Sequence, residues 1–407
     1  MRRSVLVTLF VLVGLMLVVP GPVGARSLER KLSDASQLVG IASGSAFDAL
    51  AENIADTAAR TVPVISSSAG FTYRYNAATE VFERTSETLG PLYTERPDTL
   101  GRGKFNVSVT FQYVQLDTYD GTNLTNLQSA DPMVIKTSDA SGNPIGYRAT
   151  RLRYSLGLQQ YVTGFSATYG VTDDLDVNLY VPIIATNMRI GVYARDVATA
   201  GTDGVFTPFT GPQRTGYDDG NAVGVGDILL RGKYQLPRCD WLRSAVGLQL
   251  RLPSGDKSNF QGTGDVEISP FLYLSTVLWG RVEPALDLGI DYNAGNVSQS
   301  AGRYAFSVDV DITKRINMNI GYLGRSEFEG TASPGETAFA HLRNGQIVSE
   351  PLLGLDFGRK DTSDLTFGVR GVVWGNVMVY LNGIYALNDQ GLRNDTIIPA
   401  GGIEATF

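Results

Sequence analysis

The stretch from Asp227 to Leu252 constrains the fold of this chain more than any other feature. Apolar residues alternate with charged or small residues on both sides of a break at 237–240. A period of two is typical of a β-hairpin whose strands each have one apolar and one polar face. The pattern fits either a soluble sandwich with its charges in water or a membrane barrel with its charges inside.

The same alternation recurs through most of the chain after Gly103. Long polar segments join some of the predicted strands, and short turns join the others. The short turns lie near Thr172, Pro237, Leu278, Thr313 and Gly375. Transmembrane barrels have this asymmetry, because their periplasmic turns are short and their extracellular loops are long.

The three tryptophans of the chain all lie beside predicted short turns: Trp241, Trp279 and Trp374. An indole ring suits a membrane interface because its body is apolar and its N–H is polar. The sequence therefore predicts an all-β fold, a transmembrane antiparallel up-and-down β-barrel with these residues as interface anchors. We expect about twelve strands, or about fourteen if the stretch from Glu350 to Trp374 is a hairpin rather than one strand.

Residues 1–25 have the pattern of a cleaved secretory signal peptide. Arg2 and Arg3 precede an apolar run from Val5 to Val19, and small residues end the segment. Together with the barrel, this pattern predicts the outer membrane of a Gram-negative bacterium. The formal net charge of -7 gives no reason to expect nucleic acid as a partner.

The mature chain then divides into a helical or irregular segment, 26–102, and the barrel, 103–407. Small and apolar residues recur at helical spacing between Ser45 and Arg60, which predicts an amphipathic helix rich in alanine. Such a helix packs closely against another surface. We interpret the segment as either a periplasmic extension or a plug in the lumen.

Charged side chains of both signs recur on the parity that we predict to face the lumen. The lumen-lining candidates are Arg151, Arg153, Asp176, Asp227, Arg231, Lys233, Arg251, Asp265, Glu267, Glu283, Asp287, Asp291, Arg303, Asp309, Asp311 and Arg370. They form either a charged constriction that selects solutes or a network of ion pairs that stiffens a narrow lumen. The acidic residues concentrate between Asp265 and Asp311, which predicts that negative charge is distributed unevenly around the lumen wall.

We find no catalytic motif in the sequence. The only histidine, His341, lies in a predicted loop where we expect it to be solvated, and no strand positions the nearby Ser333 and Glu336. No phosphate-binding loop or complete calcium loop occurs. The sequence predicts no catalytic residue, no metal and no cofactor, and a barrel hydrolase that uses His341 stays an alternative.

The last residues, from Gly402 to Phe407, resemble the closing strand of bacterial outer-membrane proteins. In those proteins the barrel assembly machinery recognises the terminal phenylalanine. The resemblance implies that Phe407 is an assembly signal and that this machinery is a partner. Ala405 departs from the aromatic residue that is usual at its position.

Four further stretches of the chain resemble those of a known family: Leu100–Phe105 (LGRGKF), Tyr169–Asp173 (YGVTD), Leu252–Asp256 (LPSGD) and Leu387–Arg393 (LNDQGLR). On these stretches the chain from about Phe71 to Phe407 is similar to the phenol-degradation meta-pathway family of outer-membrane transporters. The four stretches lie at strand ends and in loops, and none is a catalytic motif. The resemblance implies a barrel that transports small hydrophobic or aromatic molecules, and it assigns no site.

Transport of small molecules across the outer membrane is therefore the expected function, with the lipid bilayer and a small solute as partners. One alternative is a general diffusion porin for polar solutes. Another is a barrel anchor whose loops bind partner molecules. The sequence leaves the solute, the direction of transport and the oligomeric state open.

Overall fold

The computed structural model describes residues 26–61, 66–67, 72–76, 81–84, 93–237, 239, 241–330 and 337–407. The predicted signal peptide lies outside these ranges. Within them, no helix combines the length and the apolar character that a membrane span requires.

Within the described part of the chain, twelve antiparallel strands close a barrel. The first six are β1 (Phe105–Leu116), β2 (Pro144–Gly170), β3 (Leu175–Ala200), β4 (Arg214–Val225 and Ile228–Gln235), β5 (Arg243–Leu252) and β6 (Glu267–Ser275). The others are β7 (Val282–Asn293), β8 (Ala301–Thr313), β9 (Ile316–Glu327), β10 (Asp361–Trp374), β11 (Val377–Ala386) and β12 (Ile398–Thr406). Each strand pairs with the next, and β12 closes on β1, where Ile403 lies opposite Val109. The predicted up-and-down barrel is confirmed.

The prediction of one long strand from Glu350 to Trp374 is wrong. Glu350 belongs to a hairpin of two short strands, Ala338–Arg343 and Gln346–Pro351, in the loop between β9 and β10. A 3₁₀ turn at Leu352–Gly354 separates this hairpin from β10. Because β9 pairs directly with β10, the hairpin adds no strand to the wall, and the alternative of fourteen strands is also wrong.

The outer face of the barrel carries an apolar belt. Leu248, Ile320 and Val379 point outward from β5, β9 and β11, and each side chain is exposed. An apolar surface around a whole barrel is stable in lipid rather than in water, because burying it in hydrocarbon removes it from contact with water. A closed barrel with such a belt is the architecture of the bacterial outer membrane, and we assign the protein to that membrane.

β2 and β3 are the longest strands described, with 27 and 26 residues. The outward side chains of β2 are mostly apolar or aromatic from Tyr169 to Tyr161 and polar beyond it. At about 3.3 Å per residue and a tilt of about 40°, that stretch is about 20 Å tall, close to the lipid-facing band of such barrels. The rest of both strands extends beyond the membrane on the side of the long loops.

Two helices precede the barrel in sequence and lie inside it: α1 (Leu28–Asp34) and α2 (Ser45–Thr61). Their apolar side chains, among them Leu32 and Ile54, share one buried core with the inner walls of β2 and β3. The helix predicted between Ser45 and Arg60 is therefore present. We call residues 26–61 the plug, because these contacts place them in the lumen rather than in the periplasm.

The part of the wall that packs against these helices contradicts the prediction that Arg151 and Arg153 line the lumen. Leu156 on β2 and Ile190 on β3 point inward and are buried against the plug, so residues of the opposite parity point outward. Arg151 is exposed, and the guanidinium of Arg153 lies 4.2 Å from the ring centroid of Tyr193 on the outer face. The predicted lumen placement of Arg151 and Arg153 is wrong, because the plug requires an apolar inner wall where water covers the outside.

Candidate functional site

The other predicted lumen-lining residues face the inside of the barrel or lie at its rim. They are Asp176, Asp227, Arg231, Lys233, Arg251, Asp265, Glu267, Glu283, Asp287, Asp291, Arg303, Asp309, Asp311 and Arg370. Most of them are buried although they line a barrel, because the N-terminal segment occupies the space in front of them. Several of their partners therefore come from that segment.

Residues 93–104, which we call the strap, follow the inner wall toward the short-turn end of the barrel and lead into β1. The backbone N–H of Glu95 donates a 2.7 Å hydrogen bond to the carboxylate of Asp287 on β7. The backbone N–H of Leu100 donates another of 2.7 Å to Asp176 on β3. Two of the predicted lumen carboxylates thus hold the strap by its backbone.

Buried ion pairs also hold the strap. The guanidinium of Arg96 lies 3.0 Å from the carboxylate of Glu283, and that of Arg243 lies 2.9 Å from Asp98. Lys233 donates a 2.8 Å hydrogen bond to the backbone carbonyl of Arg96. Charges that lose their hydration need such partners, and removal of one partner leaves an uncompensated buried charge.

The end of α2 is held in the same way. Arg60 lies 2.6 Å from Glu267 on β6 and donates a 2.8 Å hydrogen bond to Gln299, which donates one of 2.7 Å to Asp56. Burial raises the pKa of Asp56 above its usual value of 3.8. Burial lowers the pKa of Arg60, but the charges of Glu267 and Asp56 more than offset this, so the pKa of Arg60 is raised.

These contacts account for part of the acidic excess between Asp265 and Asp311. Glu267 on β6 and Glu283 on β7 each meet an arginine of the N-terminal segment. The acidic part of the wall is therefore complementary to the plug and the strap. This pairing supports the interpretation of the lumen charges as a network that fills the barrel.

A chamber of about 170 Å³ lies between α2, the strap and the wall from β5 to β10. Its aromatic and large apolar lining consists of the side chains of Tyr93, Tyr119, Phe271, Leu323 and Leu392. Its charged lining consists of Arg60, Arg251, Glu267, Asp287, Asp291, Arg303, Arg325, Glu327, Lys360, Asp364 and Arg393. The guanidinium of Arg303 lies 5.3 Å from the ring centroid of Phe271. The chamber therefore offers aromatic surface and charged hydrogen-bond partners side by side.

Two of the stretches that resemble the family meet where the strap enters β1. The backbone N–H of Gly103 donates a 2.8 Å hydrogen bond to the carbonyl of Gly170, and that of Arg102 donates one of 3.2 Å to the Asp173 carboxylate. A Cβ atom at Gly170 would overlap the carbonyl oxygen of Gly101. Glycine is needed there because it alone permits so close an approach.

The other two stretches lie beside the plug and the chamber. The turn Lys257–Asn259 directly follows Leu252–Asp256, and the Asn259 side chain accepts a 3.2 Å hydrogen bond from the backbone N–H of Leu28 in α1. Arg393, which ends the last stretch, lies 3.0 Å from Asp364 in the chamber lining. The resemblance of these stretches to the family was the sequence signal for Asn259 and Arg393, which lie in loops and which alternation alone did not identify.

The predicted interface residues lie at the short-turn end. Trp241, Trp279 and Trp374 are 73%, 86% and 81% exposed. Phe407 is also exposed, and its backbone N–H donates a 2.7 Å hydrogen bond to the carbonyl of Phe105, which closes the barrel seam. The roles of the tryptophans as anchors and of Phe407 as an assembly signal stay predictions.

His341 is buried, which corrects the expectation that it is solvated. Its Nδ1 atom lies 2.9 Å from the carbonyl oxygen of Phe339, within the hairpin between β9 and β10. Ser333 and Glu336 lie outside the described residues. Among the residues that are described, no group of three or more histidine, cysteine, aspartate and glutamate side chains could hold a metal ion.

Residues 135–369 match the family described as "Putative MetA-pathway of phenol degradation". The chain belongs to this family. The matched region covers more than half of the sequence and includes all of β2 to β9 and the first part of β10. No curated relative matches the chain at a significant level.

Several solved structures share partial similarity with the chain. An outer-membrane channel from Pseudomonas putida F1 has a TM-score of 0.45 at 12% identity, with 76% of this chain and 97% of that chain covered. The Pseudomonas putida toluene transporter TodX has a TM-score of 0.32 at 11% identity, with 75% and 88% covered. A Pseudomonas aeruginosa FadL homologue has a TM-score of 0.33 at 9% identity, with 75% and 90% covered.

Proposed function

We propose that this protein is an outer-membrane channel that admits small aromatic molecules past a folded N-terminal plug. The observation that carries the proposal is the chamber of about 170 Å³ inside the barrel. For comparison, an apolar cavity of about 150 Å³ in an engineered protein holds a benzene molecule. The chamber therefore suits one small ring at a time, and the family description, which names phenol degradation, agrees with this size.

The lining favours an aromatic molecule that carries a polar or anionic group. Phe271 and Tyr273 stack with ring centroids 5.6 Å apart, and Phe271 lines the chamber. Arg303 lies over Phe271, and Arg325 and Arg393 line the same chamber. A ring can pack on the aromatic surface while its hydroxyl or carboxylate group bonds to a guanidinium, which presents several donors in one plane.

Passage requires the plug or the strap to move, and their attachments fit such movement. The strands of the wall are joined by continuous backbone hydrogen bonds, whereas α2 and the strap are held on β6 and β7 by individual side-chain contacts, among them the ion pairs Arg60–Glu267 and Arg96–Glu283. A buried ion pair adds little net stability, because desolvation of both charges opposes their attraction. The N-terminal segment therefore detaches at a smaller cost than the wall would open.

The charged lining favours a second candidate, a diffusion pore for polar solutes. The chamber has cations such as Arg251 and Lys360 and anions such as Asp291 and Glu327. Opposing charges on a pore wall orient and select hydrated solutes. This candidate differs from the first in expecting a steady ionic current through the full-length mature chain.

Planar-bilayer conductance tests the plug. We expect little steady current from the mature chain and a large steady current from a variant that lacks 26–61. Ile54→Asp, which places a charge in the buried core, should open the channel without shortening the chain, and Leu38→Asp at an exposed position serves as the matched control. A steady current from the unaltered chain would favour the polar-solute pore.

Liposome flux tests the solute class. Benzoate and cyclohexanecarboxylate have the same charge and similar size, and they differ in aromaticity. We expect the reconstituted mature chain to admit benzoate several times faster, and a sugar of similar size more slowly than either. Equal rates for all three solutes would contradict selection by the aromatic lining.

A further inference from the structure

Four arginines project from the outer face of β2 and β3 beyond the apolar belt: Arg151, Arg153, Arg189 and Arg195. Arg151, Arg189 and Arg195 are exposed, and Arg153 is partly exposed. In the part of the chain that the structure describes, none of the four forms an ion pair with a carboxylate. We call these four residues the arginine face.

The register of β2 and β3 places like charges side by side. Arg151 lies directly opposite Arg195, and Arg153 lies opposite Tyr193. Like charges on directly opposed cross-strand residues destabilise a sheet. Asp219 on β4 lies opposite Arg189, so the face still carries an excess of positive charge. An anion bound between the arginines would offset their repulsion.

The guanidinium groups are oriented for such a ligand. Arg153 stacks on the ring of Tyr193, whose hydroxyl lies 3.2 Å from the hydroxyl of the exposed Tyr217. Stacking uses the face of the guanidinium and leaves its N–H donors in the plane, where they can bond bidentately to a phosphate or carboxylate. Arg195 gives one N–H to the carbonyl of Gly211, 3.2 Å away, and retains the others.

The arginine face covers a range of heights above the membrane. Tyr161 marks the end of the belt on the side of the long loops. Arg189 lies opposite Gly157, which is four residues beyond Tyr161 along β2, and Arg151 is ten residues beyond Tyr161. At about 3.3 Å per residue and a tilt of about 40°, these positions are about 10 Å and about 25 Å above the belt. A glycerophospholipid presents its phosphate at one depth, near the hydrocarbon boundary.

We propose that the arginine face binds the acidic head group of lipopolysaccharide in the outer leaflet. This lipid has phosphates on its membrane-embedded sugars and further carboxylates and phosphates on the sugars above them. Its negative charges therefore extend over the same range of heights as the four arginines. The site is continuous with the lipid-facing belt, lies outside the barrel and is independent of the solute that the lumen admits.

Binding of purified lipopolysaccharide to the mature chain in nanodiscs of zwitterionic lipid tests the proposal. We expect the fourfold variant Arg151→Gln, Arg153→Gln, Arg189→Gln and Arg195→Gln to bind at least tenfold more weakly, and binding by the unaltered chain to weaken with added salt. The matched control removes four exposed cations from the short-turn end: Arg102→Gln, Arg281→Gln, Lys314→Gln and Arg315→Gln. The control should bind as tightly as the unaltered chain.

Two further comparisons make the result decisive. Phosphatidylglycerol vesicles should show no difference between the chain and its fourfold variant, since their single phosphate lies below most of the arginine face. Heat-modified migration on gels should show that each variant is folded, which separates lost binding from lost structure. Unchanged lipopolysaccharide binding by the fourfold variant would overturn the proposal, and an equal loss with phosphatidylglycerol would overturn the assignment to lipopolysaccharide.

Discussion

The guanidinium of Arg96 lies 3.0 Å from the carboxylate of Glu283, and neither side chain is more than 1% exposed. Arg96 belongs to the strap and Glu283 to β7, 187 residues apart in sequence. The pair therefore joins a segment that precedes the barrel to the wall of the barrel. The strength of this ion pair decides whether the strap stays docked on the wall or can detach from it.

We expect Glu283→Gln to release the strap, because it leaves Arg96 buried without its full countercharge. Removal of one partner of a buried ion pair costs about 3–5 kcal/mol, whereas replacing both with apolar residues is often tolerated. The double variant Arg96→Met, Glu283→Leu should therefore keep the strap docked better than the single variant. Hydrogen exchange of the strap amides, followed by mass spectrometry, measures how firmly the strap is docked in each variant. Equal protection of these amides in the single and double variants would contradict the prediction.

Leu248 on β5 tests the lipid-facing belt. An arginine at the midplane of a lipid-facing strand costs about 2–4 kcal/mol, because the bilayer core cannot hydrate it. We expect Leu248→Arg to reduce the amount of heat-modifiable barrel in the outer membrane, with Leu248→Met as the control that keeps the position apolar. Normal assembly of the arginine variant would mean that this position does not meet lipid.

Leu156 on β2 tests whether the apolar face of the wall beyond the belt points inward, toward the plug. This leucine is buried against the plug rather than exposed to lipid. We expect Leu156→Arg to leave membrane assembly intact and to detach the plug, so the variant should conduct steadily in a planar bilayer. A failure of assembly like that expected for Leu248→Arg would place Leu156 on the lipid side and would refute the internal plug.

Asp56 on α2 should make docking of the plug depend on pH. Because burial raises its pKa above 3.8, the docked state favours the neutral carboxyl group. Docking is therefore most stable below the usual pKa and loses stability as the pH rises through the raised value. We expect open events in single-channel records to become more frequent over that rise, and Asp56→Asn to reduce the dependence. An unchanged pH profile in the Asn variant would assign the effect to other groups.

Alternation and turn spacing were enough to predict the barrel and its twelve strands. They failed at Arg151 and Arg153, because in this part of β2 the polar residues point outward and the apolar residues point inward. A period of two identifies the two faces of a strand, but it does not identify what lies against each face. Where β2 and β3 extend beyond the membrane, the inner face meets apolar helices and the outer face meets water. The apolar face of each strand is therefore inside and the polar face outside, opposite to the arrangement within the membrane.

The sequence by itself determined that the chain closes into a membrane barrel, because strand period, turn length and a lipid-facing surface are local properties of the chain. It also identified the helix from Ser45 onward. Only the tertiary structure decided that this helix lies in the lumen, that Arg96 meets Glu283 and that Phe271 and Arg303 line one chamber. Those contacts join residues far apart in sequence, and each depends on closure of the barrel around the segment that precedes it.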